Sequence, residues 1–143
     1  MFSQEVLKSL LWAGWHSNRK VLKKLKLPKG FDFPDIALKI LDEFGDLKIG
    51  DIQQKKGTHM AKSSIQFSPI LADGEEGTFE DFSNALGVKL CPLGEVNGGY
   101  SFLAVDECGK IYILEQDIFI VGNDIQEGIE TLIKGAQIQK LNV

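Results

Sequence analysis

The stretch Leu90–Glu115 most constrains the fold, because it has the pattern of β-structure along its length. From Tyr100 to Val105 and from Lys110 to Glu115, successive residues alternate between two faces rich in apolar side chains. Between these runs lies Asp106-Glu107-Cys108-Gly109, which has Asp and Gly at the first and fourth turn positions, where each is favoured. The stretch therefore predicts a β-hairpin with a short bulged turn.

Helical and extended patterns alternate through the rest of the chain. Ser3 and Thr78 are candidate N-caps, and Asp124 with Glu127 forms a capping box. We expect helices at Gln4–Ala13, Arg19–Leu27, Pro34–Phe44, Thr78–Leu86 and Asp124–Ile133, and further strands at Leu47–Gln53, Ala61–Phe67, Val88–Leu93 and Ile118–Val121. Loops are expected at Gln54–Met60 (a hairpin loop), Leu71–Gly77 (acidic) and around Pro92–Glu95 and Asn97–Gly99, and the tail Ala136–Val143 is expected to fray.

This order of elements predicts one α+β domain over residues 1–143, with a mainly antiparallel sheet flanked by N-terminal, middle and C-terminal helices. The segment after Met1 lacks the pattern of a signal peptide, and no apolar run approaches the ~20 residues that would span a bilayer. We therefore expect a cytoplasmic protein without a membrane partner. In that compartment Cys91 and Cys108 are expected to be unpaired thiols.

Charge is unevenly distributed along the chain. The first 31 residues carry seven basic side chains and one acidic one, although the net charge of the whole chain is −4. No Lys or Arg lies between Lys62 and Lys89, where acidic side chains are concentrated. Such a chain has a field that could attract a partner of either sign.

The sequence contains no recognisable set of catalytic or metal-binding residues. Two histidines, His16 and His59, cannot form a metal site alone, and Cys91 and Cys108 do not form a CxxC pair. Gly94 with Gly98-Gly99 lacks the Lys and hydroxyl of a phosphate-binding loop, and it precedes a strand rather than a helix. We therefore expect no enzyme activity, no cofactor and no metal.

Several short motifs follow one another along the chain and together cover roughly residues 10–135. They are Gly14-Trp15 followed by Arg19, Leu41 with Phe44-Gly45-Asp46-Leu47, Pro92-Leu93-Gly94-Glu95, Leu103 with Val105-Asp106-Glu107-x-Gly109-x-Ile111-Tyr112, and Gly122 with Gly128-Ile129, Leu132-Ile133 and Gly135. Each motif is short, but their order and spacing are specific. In that order and spacing they resemble the motifs of the third subfamily of SUKH-superfamily immunity proteins.

The resemblance implies a non-enzymatic α+β domain that neutralises a toxin by binding it. Such proteins are typically encoded beside secreted bacterial toxins, often nucleases or nucleic-acid deaminases. The resemblance also implies structural roles for the recurring residues, with Gly94 and Gly109 in backbone turns and Trp15, Phe44, Leu93 and Tyr112 in packing. The toxin-binding surface varies among members, so the resemblance does not identify it.

Charge supplies a hypothesis for that surface. A toxin that handles nucleic acid is usually basic around its active site, so an acidic face would attract it and raise the association rate. The hypothesised contact residues are Asp73, Glu75, Glu76, Glu80 and Asp81, together with Glu95 and Asp106.

Two alternative functions stay open: an intracellular scaffold or regulatory module without a toxin partner, and a nucleic-acid binder that uses the basic run Arg19–Lys29. Direct nucleic-acid binding is disfavoured because no aromatic residues interrupt that run and the net charge is negative. The sequence does not determine the oligomeric state.

Overall fold

An antiparallel β-sheet forms the middle of the protein. The computed structural model describes residues 1–50 and 63–143. Within them, seven strands lie side by side in chain order, and each pairs antiparallel with the next. The strands are β1 (Lys48–Ile49), β2 (Ile65–Gln66), β3 (Cys91–Val96), β4 (Ser101–Val105), β5 (Ile111–Leu114), β6 (Ile118–Gly122) and β7 (Gln139–Leu141).

The described residues also form four α-helices, at positions that the sequence largely predicts. They are α1 (Gln4–Trp12), α2 (Asp35–Phe44), α3 (Glu76–Leu86) and α4 (Ile125–Lys134). Side-chain caps fix two of the starts: Ser3 Oγ accepts from the Val6 amide, and an Asp124 oxygen accepts from the Glu127 amide at 2.8 Å. Helices and an antiparallel sheet together confirm the predicted α+β class.

The central hairpin is confirmed, with β4 and β5 joined by a turn over residues 106–110. Val105 pairs with Ile111 where the turn begins. Gly109 has a φ of 93°, a backbone conformation that is costly for a residue with a side chain. Asp106 Oδ1 accepts from the amides of Cys108 (2.8 Å) and Lys110 (3.0 Å), and Asp106 Oδ2 accepts from the Tyr112 hydroxyl (2.8 Å). One carboxylate thus organises the whole turn.

The sheet has helices on both faces. Leu103, Val105, Ile111 and Ile113 face one cluster of buried side chains, to which α1, α2 and α4 contribute. The residues between them in sequence, such as Ala104 and Tyr112, face a second cluster with α3. This alternation makes a three-layer arrangement in which, of the four described α-helices, α3 alone packs on its side of the sheet.

The predicted helix Arg19–Leu27 is wrong, because only Leu22–Lys24 forms a single 3₁₀ turn. At the start of this turn the backbone bonds to α2: the Val21 amide donates to the Asp42 carbonyl and the Leu22 amide donates to an Asp42 carboxylate oxygen. Residue 25 is extended. Tertiary hydrogen bonds have therefore replaced the local helix that the periodicity favoured.

The start of α3 also differs from the prediction. The helix begins at Glu76 and not at Thr78, and Glu75, which lies at the N-cap, makes no side-chain capping bond. The preceding 3₁₀ turn, Pro69–Ala72, sets this boundary, since the Glu75 amide donates to Ala72 and the Phe79 amide donates to Glu75. The hypothesis that Thr78 caps the helix is wrong.

The third strand runs three residues later than predicted at both ends, covering Cys91–Val96 instead of Val88–Leu93. The loop expected at Pro92–Glu95 is therefore strand, and Asn97–Gly99 forms a short 3₁₀ turn. The register shifts between Pro92 and Gly94, and a Cβ on Gly94 would lie 1.9 Å from the Gln66 carbonyl oxygen. Gly94 thus permits a close approach of two strands at a bulge.

The C-terminal tail is ordered rather than frayed. β7 pairs with β6, with Ile120 opposite Gln139 and Ile118 opposite Leu141. Near the N-terminal side of the sheet, the structure confirms pairing of the two strands predicted at Leu47–Gln53 and Ala61–Phe67, since Lys48–Ile49 pairs with Ile65–Gln66. Residues 51–53 and 61–62 of these predicted strands lie outside the described residues. The predicted hairpin loop Gln54–Met60 lies outside the described residues.

Candidate partner-binding surface

Five of the seven predicted contact residues lie in one segment that precedes and begins α3. We call Asp73, Glu75, Glu76, Glu80 and Asp81 the α3 acidic surface. Phe79 anchors the segment: it is 2% exposed, and its ring centroid lies 5.2 Å from those of Phe31 and Phe102. Burial of this aromatic side chain fixes which side of α3 faces solvent.

The carboxylates of this surface are accessible, and none of them forms an ion pair with another described residue. Four of them are exposed and Glu75 is half-buried. Glu76 and Glu80 are four residues apart on a helix, so they project from the same side of α3. Ion pairs within the described part of the chain involve other carboxylates. The segment therefore carries a concentrated negative charge that faces solvent.

A groove of ≈ 280 Å³ lies beside α3. Glu76, Glu80, Ser83 and Asn84 form its helical wall, residues 30–32 form the opposite wall, and Phe79 and Leu90 are at its base. Glu76 crosses close to the backbone of the opposite wall, since a Cβ on Gly30 would lie 2.5 Å from Glu76 Cγ. Two carboxylates of the α3 acidic surface thus border a concave site.

An ion pair spans this groove. Lys89 Nζ lies 2.8 Å from Asp32 Oδ2, and both side chains are largely solvent-exposed. The hydrogen bond from Lys89 and its positive charge lower the pKa of Asp32 below its usual value. The sequence does not reveal Asp32 and Lys89 as partners, because they are 57 positions apart and neither belongs to a motif.

Glu95 lies on the same face of the sheet as α3 but borders a different cavity. In the sheet it sits between Gln66 on β2 and Phe102 on β4. The cavity that it lines includes Lys48, Gln66 and Gly99 and none of the α3 acidic surface. Partial burial raises the pKa of the Glu95 carboxyl.

Asp106 is 4% exposed, and the three hydrogen bonds of the hairpin turn occupy both of its carboxylate oxygens. A partner could not reach this side chain without opening the turn. We therefore leave it out of the surface proposed below.

The basic run Arg19–Lys29 divides into one structural residue and several free ones. The Arg19 guanidinium donates to the backbone carbonyls of Glu43 and Gly45 at the C-terminus of α2. The lysines of this run are exposed: Lys20, Lys23, Lys24, Lys26 and Lys29.

Residues from the resemblance motifs are mostly buried or engaged in structural contacts. Trp15 Nε1 donates to Glu43 Oε2 at 3.0 Å, and its ring packs edge-on against Phe2. Phe44 stacks on Phe67, and Leu93 is fully buried. Structural roles are thus supported for the packing residues, while Gly94 acts at a strand contact rather than in a turn.

The thiols differ in their surroundings. Cys91 is buried, which raises its pKa to about 12, whereas Cys108 is exposed at the hairpin turn.

Across residues 1–50 and 63–143, the structure brings together no group of three His, Cys, Asp or Glu side chains suited to a metal. The helices in those same ranges are too short or too polar to cross a bilayer.

Comparison with known proteins identifies a family. The family model described as SUKH-3 immunity protein matches residues 2–135, which is nearly the whole chain. Searches of curated proteins and of solved structures give no significant match.

Proposed function

Because the chain belongs to the SUKH-3 immunity protein family, we propose that it neutralises a cognate toxin by stoichiometric binding, without catalysing a reaction. The proposed site of contact is the α3 acidic surface. The proposed partner is a secreted toxin that is basic around its active site, such as a nuclease or a nucleic-acid deaminase. In this proposal the protein acts in the cytoplasm, where such a toxin would reach nucleic acid.

The observation that carries the choice of surface is the arrangement of the five carboxylates. They lie in one segment of the described structure, four of them are exposed, and the ion pairs there leave them unneutralised. A concentrated negative charge on a rigid helix can accelerate association with a basic protein by tenfold or more at low salt. Glu95 is a candidate for the edge of the contact, since it shares the α3 face of the sheet.

The five exposed lysines from Lys20 to Lys29 inclusive favour one alternative, direct binding to nucleic acid. That alternative requires phosphate contacts, and Arg19 is already bonded to α2 carbonyls. It predicts retention on plain DNA or RNA that falls steeply with added salt. A scaffold role without a toxin predicts that the neighbouring gene encodes no toxic protein.

A growth-rescue experiment tests the proposal. The product of the neighbouring gene is expressed from an inducible promoter, alone or with this protein, and a pull-down is performed in parallel. The proposal predicts arrested growth that this protein restores, and a complex of fixed stoichiometry. Toxicity without rescue, or rescue without a complex, would contradict it.

Charge-reversal variants then test the surface. We compare Glu76→Lys/Glu80→Lys with Glu127→Lys, which reverses an exposed carboxylate on α4. That helix contributes to the buried cluster on the opposite face of the sheet. Rescue should weaken in the first variant and persist in the second. Equal loss in both would indicate that binding does not depend specifically on the α3 acidic surface.

A further inference from the structure

The groove beside α3 adjoins a second cavity at the Asp32–Lys89 ion pair. This second cavity, of ≈ 160 Å³, is lined in part by Phe33, Pro34 and Glu107. Asp32, Lys89 and Leu90 line both cavities. The two cavities therefore share the ion pair, and we treat them together as one groove.

This groove combines an apolar base with acidic walls. Phe79 and Leu90 lie at its base, and the half-buried Phe31 belongs to one wall. Carboxylates border it on several sides: Asp32, Glu76, Glu80 and Glu107. Lys89 is the one basic residue among the described side chains that line it. The groove therefore has the composition of a site for a side chain with a long apolar stem and a cationic head.

The structure already shows one such side chain in place. The Lys89 ammonium lies 2.8 Å from Asp32, with side-chain exposures of 61% and 85%. Its hydrogen bond to Asp32 raises the pKa of Lys89, as do the charges of Asp32 and, to a lesser extent, Glu107. An exposed ion pair of this kind contributes little to stability and exchanges partners readily.

We propose that this groove binds an arginine side chain of the partner protein, and that Lys89 occupies the cation position in the free protein. This inference rests on the proposed function for the identity of the partner. The incoming guanidinium replaces Lys89 as the partner of Asp32, and Glu76 and Glu80 lie on the opposite wall. Arginine fits better than lysine because its planar fork can bond two carboxylates while its face stacks on an aromatic ring such as Phe31.

Other occupants are less compatible with the lining. A metal ion would need three or more grouped ligands, which the described residues do not provide. A nucleic acid or a lipid phosphate would be repelled by the carboxylates. A neutral peptide would leave the acidic walls without a partner.

A small-molecule probe tests the groove without a toxin. N-acetyl-arginine methylamide is titrated into the folded protein at low salt and followed by NMR chemical shifts of backbone amides. The citrulline analogue, which has the same shape without the charge, is the control ligand. We expect arginine-dependent shifts at residues 30–32, 83–84 and 89–90, and none with citrulline.

Two variants sharpen the test. Lys89→Met removes the resident cation and should tighten arginine binding roughly two- to fivefold, the effect of one exposed ion pair, whereas Asp32→Asn should weaken it by a similar factor. Lys110→Met is the matched control, since Lys110 is exposed on the hairpin turn and lines neither cavity. Equal tightening by Lys89→Met and Lys110→Met, or equal shifts with citrulline, would overturn the proposal.

Failure of this inference is distinguishable from failure of the proposed function. Toxin rescue that is unaffected by Asp32→Asn, together with no arginine binding, would reject the groove and leave the immunity function intact. Arginine binding in the groove without any rescue would support the groove and reject the toxin partner.

Discussion

The Tyr112 hydroxyl donates a 2.8 Å hydrogen bond to Asp106 Oδ2 across the base of the central hairpin. Asp106 is 4% exposed, and its other oxygen accepts from two amides of the turn. This carboxylate therefore connects the β4–β5 turn to the side of the sheet on which α3 packs.

Removal of that carboxylate should destabilise the fold. Asp106→Ala leaves three buried or half-buried donors without a partner, and we expect it to lower the free energy of unfolding by about 3 kcal/mol. Tyr112→Phe removes one donor and should cost about 1–2 kcal/mol. Chemical denaturation monitored by circular dichroism measures both. Glu107→Ala, an exposed residue of the same turn, is the control, and a loss as large as that of Asp106→Ala would argue against this role.

A close contact between β6 and α4 should make Gly122 intolerant of any side chain. A Cβ at this position would lie 2.5 Å from the Gly128 amide nitrogen, so Gly122→Ala must push helix and strand apart. We expect a loss of about 1–3 kcal/mol in unfolding free energy. Thermal denaturation provides the measurement.

Gly77→Ala is the matched control for that substitution. Gly77 lies within α3, and its added Cβ would meet nothing within 4 Å. Alanine is a better helix former than glycine, so the free energy of unfolding of this variant should rise by up to about 1 kcal/mol. Equal effects of the two alanines would contradict the close-packing explanation.

Arg19 should not be replaceable by lysine. Its Nη2 donates to the Gly45 carbonyl at 3.0 Å while its Nη1 donates to that of Glu43, an arrangement that one ammonium group cannot reproduce. We expect Arg19→Lys to lower the free energy of unfolding by about 1–2 kcal/mol. Lys20→Gln, at an exposed neighbouring residue, should change the free energy of unfolding by no more than about 0.5 kcal/mol. Urea denaturation measures both. A tolerated Arg19→Lys would show that the carbonyl contacts contribute little.

The thiols should react at very different rates. Burial raises the pKa of Cys91 to about 12, so alkylation at neutral pH should modify exposed Cys108 first and Cys91 only on unfolding. Mass spectrometry of iodoacetamide-treated protein measures this, with Cys108→Ser as the control. Prompt modification of Cys91 in the folded Cys108→Ser variant would contradict the buried environment.

The same shift predicts a pH dependence of stability. Between pH 9, the ordinary thiol value, and pH 12, the unfolded chain loses the Cys91 proton while the folded chain keeps it. Stability should therefore fall with rising pH across this window, and it should fall less steeply in a Cys91→Ala variant. Parallel curves of stability against pH for the unmodified protein and the Cys91→Ala variant would indicate that Cys91 ionises equally in the folded and unfolded states.

The sequence predicted those elements whose determinants are local. Asp106 and Gly109 define the hairpin turn within five residues, and Asp124 caps α4 three residues away. The acidic segment was likewise visible because its five carboxylates are close together in the chain.

Features that depend on distant residues could not be predicted in this way. The segment around Leu22 has helical periodicity, but Asp42 on α2 bonds its backbone and prevents the helix. Similarly, Lys89 and Asp32 meet only in the folded chain. The charge of Asp106 suggested that it lies on the surface, but it is buried. Its burial is made possible by hydrogen bonds that the composition of the chain does not reveal.

The most direct test of the central claim is the association rate constant of the purified protein with its toxin, measured by stopped-flow fluorescence at low salt. For Glu76→Lys/Glu80→Lys we predict a decrease on the order of tenfold, which shrinks as salt screens the charges, while Glu127→Lys stays near the unmodified rate. The wider reversal Glu75→Lys/Glu76→Lys/Glu80→Lys should slow association further. A rate unchanged by these α3 reversals would contradict the account.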